Sequence, residues 1–172
     1  GVPHPPGYPV YIVLLQGWLR FSHILFPNGD LAWRGALLSA FCAALSVGVT
    51  VLVAGHLLDR QPGQWVWATL TGLAWAISPL LWAQAVITEV YALHVLLFTL
   101  LGWVILTKRG RFVYLIPVVA LGVAHHLTFV LLLPAALYYV WASRGGHWRP
   151  FIQTVAALTL GGLLGLAFYG RV

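Results

Sequence analysis

The sequence predicts an all-α fold of the polytopic helical membrane type. Three observations predict it: 61% of the 172 residues are hydrophobic, only 7% are charged, and the apolar residues gather into long runs free of charge. A disordered chain has the reverse composition and is excluded. A soluble globule of this size needs more charged surface than this chain has, and is excluded as well. About 20 apolar residues cross a bilayer as a helix, so the expectation is about six transmembrane helices plus one interfacial helix, forming a single module over residues 1–172.

The first element, Tyr8–Phe26, is apolar enough to resemble a span but carries Gln16, Arg20 and His23. Spacings of four and three put these on one helical face. Charge at mid-bilayer is costly, so this segment is expected to lie along the membrane surface. Gly35–His56 is the first clean span, Trp65–Val86 the second and Val90–Thr107 the third. Phe112–Ala124 and Leu127–Trp141 are shorter and meet at His125 and His126. At 13 residues the first of them is roughly 20 Å long, too short for a full hydrocarbon core, so its end must sit in protein or in a water-filled cavity. Phe151–Tyr169 is the last run, and its Gly161 and Gly165 allow close helix packing.

The nine basic residues, eight of them Arg, are scattered in short loops and form no basic stripe. This excludes nucleic acid as a partner and fits the positive-inside rule. Placing Arg60, Lys108, Arg109, Arg111, Arg144 and Arg149 on the cytoplasmic side brings His4, Glu89, His125 and His126 to the exoplasmic side. The protein is thus expected in a bacterial inner membrane or an ER membrane, as a multi-pass protein in contact with lipid. The chain has no Met and begins at Gly1, which reads as an internal piece of a longer protein. The single Cys42 sits in an apolar run and reads as a core residue.

Polar residues are scarce, so each one on the expected outer side is a candidate. Glu89 is the only glutamate and lies between two apolar runs. A solvated loop acid is the plain reading. The functional readings are a divalent-metal ligand, a general base or an ion partner of Arg34. His125 and His126 are either interfacial filler at a hairpin tip or ligands for phosphate or metal. His94 reads as a packed, hydrogen-bonded residue. In His4-Pro5-Pro6-Gly7 the prolines fix an extended, stiff loop that holds His4 in place. The same loop also reads as a simple turn into the helix.

Four strings in this order carry a resemblance: PHPPGYPVY at Pro3–Tyr11, GALLSAFCAAL at Gly35–Leu45, QAVITEVYALH at Gln84–His94 and LGVAHHLTFVLLLPA at Leu121–Ala135. Together they resemble the polytopic membrane proteins related to protein O-mannosyltransferases, which have the GT-C glycosyltransferase fold. The resemblance implies transfer of a sugar from a polyprenyl-phosphate donor to a protein or lipid acceptor at the exoplasmic face. It implies that Glu89 is a catalytic acid able to orient a divalent metal. It also implies that the His4 loop, His125 and His126 serve the donor phosphate or substrate, and the polar residues Arg34 and Tyr91 near Glu89 are expected to join them there. The family's first helix and catalytic Asp would precede Gly1, so residues 1–172 alone are expected to lack the general base. The rival reading is a non-catalytic scaffold subunit held among other membrane subunits.

Overall fold

The computed structural model describes residues 8–107, 112–143 and 145–169. Those residues form eight α-helices, with two short 3-10 turns and no strand among them. They fall into two compact units, one of residues 11–100 and one of residues 101–172 with those up to Val10.

Residues 11–100 hold most of α1 (Pro9–Leu25), α2 (Leu31–Leu57), α3 (Gln64–Ala76), α4 (Pro79–Ala85) and the first turns of α5 (Tyr91–Thr107). α1 matches the expected interfacial segment to within a residue at each end, and it has three faces. At 100° per residue, Tyr11, Leu15, Trp18 and Ser22 share a sector about 60° wide. This sector faces the protein, with Tyr11 and Ser22 buried. Gln16, Arg20 and His23 fill a second, exposed sector. Val13, Phe21 and Ile24 fill a third, also exposed and wholly apolar. A helix with separate protein, water and lipid faces suits a membrane surface.

Asp30 starts α2: its carboxylate accepts from the amides of Ala32 and Trp33 at 2.8 and 3.1 Å, satisfying two of the orphan donors of the first turn. α3 and α4 pack on α2. The single span expected over Trp65–Val86 is in fact two helices bent by 62°. Pro79 supplies no amide and disfavours helical backbone at Ser78, so α3 stops. The Ser78 hydroxyl then caps α4 by accepting from the Leu81 amide. The bend leaves an apolar cavity of about 250 Å³ between α2 and the α3–α4 pair, lined by Ala40, Ala43, Ala44, Ala76, Leu81 and Ala85 among others.

The other unit holds α6 (Leu115–His125), α7 (Leu133–Ser143) and α8 (Trp148–Ala167). α6 lies directly on α8. A Cβ at Gly161 would stand 2.8 Å from the Ile116 carbonyl, and one at Gly165 would stand 2.7 Å from the Ala120 carbonyl, so only glycine permits this approach. α6 ends, as its shortness requires, inside protein: His125 is fully buried. The chain folds back there, and the buried Phe129 ring packs against Gly122.

By length and composition α2 and α8 can each cross a membrane, and the α3–α4 pair makes a third crossing if counted as one. The apolar stretches Tyr91–Thr107, Phe112–His125 and Leu127–Ser143 are shorter. The expected six crossings are therefore not shown. The break before Pro79 divides a run that reads as continuous in sequence, whereas the one at His126 falls where two short runs were expected to meet.

Candidate functional site

The site assembles around Glu89, in the turn between α4 and α5. Nothing in its immediate sequence fixes this turn, and long-range contacts do so instead. Ser39, 2% exposed on α2, places its hydroxyl 3.4 Å from both the amide and the carbonyl of Glu89. Thr88 donates to the Ala32 carbonyl at 3.0 Å and lies against Gly35, where a Cβ would stand 2.5 Å from the Thr88 hydroxyl. Two successive residues of the turn are thus pinned to the first turns of α2.

Tyr11 reaches the same place from α1. Burial and then the charge of Glu89 push its phenol up to about 12. The phenol is therefore a neutral hydroxyl beside a carboxylate.

Arg34 sits five residues before Ser39 on α2 and is 9% exposed. Its Nη1 donates to the Leu19 carbonyl at 3.3 Å, but its buried Nε has no partner among the described residues. No ion pair joins it to Glu89. Arg60 and Asp59, both exposed, do form an ion pair, at 3.8 Å. A buried guanidinium without a carboxylate is a costly arrangement that an anion would relieve. The Gln84 amide oxygen, on α4, is also buried and unpartnered among the described residues.

The other candidates fall elsewhere. Tyr91 begins α5 and is 48% exposed. His125 and His126 belong to the second unit, where the Tyr8 ring lies 6.3 and 5.2 Å from their rings. The Nδ1 of His126 accepts from the Thr128 amide at 3.3 Å. In the same unit the Tyr169 hydroxyl donates to the Val123 carbonyl at 3.1 Å, and burial raises its pKa. His4 lies outside the described residues. A metal fits the described donors poorly. Among them no group of three His, Cys, Asp or Glu is assembled, around Glu89 or elsewhere.

Tyr11, Ser39, Thr88 and Gln84 were not singled out as site residues in the sequence. The signal was present, since each lies within one of the strings that carried the resemblance. In those strings, however, Ser39 reads as one more small residue in a helix and Tyr11 as one more aromatic.

The fold and site define a class: an all-helical membrane-associated protein with an acid and a buried cation held apart near one end of an apolar helix. Comparison with known proteins gives the family. Residues 1–148 match the family described as Protein O-mannosyl-transferase TMEM260 N-terminal domain, and the chain belongs to it. It is 30% identical over 101 residues to the Protein O-mannosyl-transferase TMEM260 of Mus musculus, a match covering 59% of this chain and 13% of that protein. The chain thus spans a small part of its curated relative. No solved structure matches it.

Proposed function

We propose that this chain is a membrane module of a glycosyltransferase with the GT-C fold. It moves mannose from a polyprenyl-phosphate donor to a hydroxyl of a protein or lipid acceptor at the exoplasmic face of a multi-pass assembly. The observation that carries this reading is that Arg34 lies on α2, the turn bearing Glu89 is pinned to the same stretch of that helix, and the two charges do not pair. Two charges that neutralised each other would have nothing left for a substrate. Kept apart, they suit a reaction with a departing anion at one end and an incoming hydroxyl at the other.

In that reaction the acceptor oxygen bonds to the sugar's C1 as the bond from C1 to the phosphate oxygen breaks. The acceptor proton passes to a carboxylate base, a role that related enzymes give to an Asp preceding the His-Pro-Pro segment. The polyprenyl phosphate leaves as an anion. Arg34 faces the phosphate and supplies the positive charge its departure needs. Glu89 orients the acceptor hydroxyl. The buried oxygen of Gln84 accepts from a sugar hydroxyl. The apolar cavity begins at Ala40, the neighbour of Ser39, and takes the start of the lipid tail. His4, Tyr91, His125 and His126 are proposed as further contacts for the donor or substrate.

The test is transfer from polyprenyl-phosphate mannose by the full-length protein in membranes, wild type against Glu89→Gln. The substitution keeps shape and removes charge. Loss of one such group costs a factor of about 10²–10³ in turnover. Unchanged turnover at normal expression would remove Glu89 from the mechanism.

A further inference from the structure

We infer that Thr128 fixes the tautomer of His126, so that this ring meets the donor by giving a hydrogen bond from Nε2 to a phosphate oxygen, an inference that rests on the substrate contact proposed for His126 above. In a neutral imidazole one nitrogen carries a proton and donates, and the other carries a lone pair and accepts. A base or a metal ligand works through the lone pair, whereas an oxyanion takes the proton. Which nitrogen holds which therefore decides what the ring can bind.

His126 ends α6 and opens the 3-10 turn that follows, on extended backbone with φ −153° and ψ 123°. Its amide donates to the Gly122 carbonyl at 2.9 Å, and its carbonyl accepts from the Phe129 amide at 2.9 Å. With its backbone held on both sides, the ring caps the turn: the Thr128 amide donates to Nδ1 at 3.3 Å. An amide can only donate, so Nδ1 carries the lone pair. The Thr128 hydroxyl lies 2.7 Å from the same nitrogen and, with no proton there, is the donor to it as well. The other tautomer would set a ring N–H against the amide N–H. The proton of the neutral ring is therefore on Nε2. The Tyr8 ring, 5.2 Å away, packs beside the imidazole and limits its swing, and His126 is half-buried, within reach of a ligand.

This tautomer separates the two functional readings of the residue, phosphate and metal. A metal at Nε2 would need the lone pair there, which means moving the proton to Nδ1 against the Thr128 amide. The same obstacle meets a general base at Nε2. A phosphate oxygen carries only lone pairs and suits an N–H that the fold has already aimed.

The experiment uses the full-length protein in membranes and two substitutions that each copy one ring nitrogen. Asparagine places its side-chain oxygen near Nδ1, so His126→Asn keeps the cap and loses the donor at Nε2. Glutamine places its amide nitrogen near Nε2, so His126→Gln keeps the donor and loses the cap. His126→Asn should melt with wild type, keep kcat within about twofold and raise the donor KM about tenfold. His126→Gln should melt earlier than His126→Asn, with a donor KM within about threefold of wild type. Polyprenyl phosphate without the sugar should inhibit His126→Asn about tenfold more weakly than wild type. Nitrogen NMR on isotope-labelled histidine, with the His126 signal identified by its loss in His126→Asn, should show the neutral ring protonated on Nε2. A proton on Nδ1 overturns the inference. So does a donor KM that rises in His126→Gln and not in His126→Asn, or one unchanged in both. Equal inhibition of wild type and His126→Asn by polyprenyl phosphate would put the bond on the sugar and overturn the phosphate contact. If His126→Gln does not accumulate, the spectra and His126→Asn decide. If wild type transfers nothing from polyprenyl-phosphate mannose, the proposed function fails and takes the donor contact with it, while the tautomer still stands or falls by the spectra.

Discussion

Trp18 and Arg34 hold each other across α1 and α2: the indole nitrogen of Trp18 donates to the Arg34 carbonyl at 2.7 Å, and Arg34 Nη1 donates back to the carbonyl of Leu19, the neighbour of Trp18, at 3.3 Å. The indole bond is the stronger of the two by length. It fixes the backbone of Arg34, and the return bond fixes one arm of the side chain, so the guanidinium has little freedom to seek a carboxylate elsewhere. The same contact sets the rotation of α1 about its own axis, from which its water and lipid faces follow.

That rotation predicts a labelling pattern. In a Cys42→Ala background, single cysteines at positions 16, 20 and 23 should react with a membrane-impermeant maleimide, all from the same side of the membrane. Cysteines at 13 and 24 should react slowly until the membrane is dissolved in detergent. Uniform reactivity around the helix, or blocked reaction at 16 and 20, would show that α1 does not lie along the surface.

A second prediction separates two adjacent glycines of α8. A Cβ at Gly161 meets the backbone of α6, which cannot yield, whereas a Cβ at Gly162 meets nothing within 4 Å. Gly161→Ala should therefore destabilise the purified protein by about 1–3 kcal/mol, as overpacking does. Gly162→Ala should be neutral or stabilise by up to about 1 kcal/mol, from helix propensity alone. Thermal unfolding in detergent measures both, and equal midpoints would contradict the α6–α8 packing.

The close glycines and the ends of α1 were legible in the sequence because their causes are local: periodicity, small residues and a polar stripe. The break at Ser78–Pro79 was also local, yet the surrounding apolar run masked it. Hydropathy averages over about 20 residues and does not register one missing amide. The count of crossings suffered for the same reason. The network at Glu89 was not legible in principle. Ser39 and Glu89 are fifty positions apart, and a serine among alanines in a membrane helix reads as a packing residue until its partner is known. Arg34 was chosen for its charge alone. That it stands apart from Glu89 instead of pairing with it became visible only in three dimensions.

The Tyr11 phenol gives a prediction about alkaline pH. Its pKa is pushed from the ordinary 10 up to about 12 in the folded protein. The folded state therefore holds a proton that the unfolded state releases. The associated stability is fully present below pH 10 and is lost as the pH rises through 12. Two pKa units correspond to at most about 2–3 kcal/mol. Melting midpoints in detergent should fall more steeply between pH 10 and 12 for wild type than for Tyr11→Phe, the other tyrosines being common to both. Parallel curves would mean that the phenol is not held in the buried, neutral state.

Arg34 yields the prediction that bears most directly on function, because stability and activity should move in opposite directions. A buried guanidinium with an unpartnered Nε and no carboxylate beside it is a cost to the fold in the absence of ligand. Methionine fills a similar volume without that cost, and replacing buried charges by apolar residues is often neutral or stabilising by about 1–4 kcal/mol. Trp18 bonds to the Arg34 backbone, so the contact between α1 and α2 survives the substitution. Arg34→Met should thus melt at the same temperature as wild type or higher, while its KM for the polyprenyl-phosphate donor rises at least about tenfold, the loss expected for a charge-assisted contact worth about 1.5–3 kcal/mol. Arg34→Lys should recover part of the affinity only, since an ammonium lacks the guanidinium's fork. Inorganic phosphate or a short-chain polyprenyl phosphate should raise the melting temperature of wild type and not that of Arg34→Met. Were Arg34 a structural residue, Arg34→Met would instead unfold earlier, and neither anion would distinguish the two proteins.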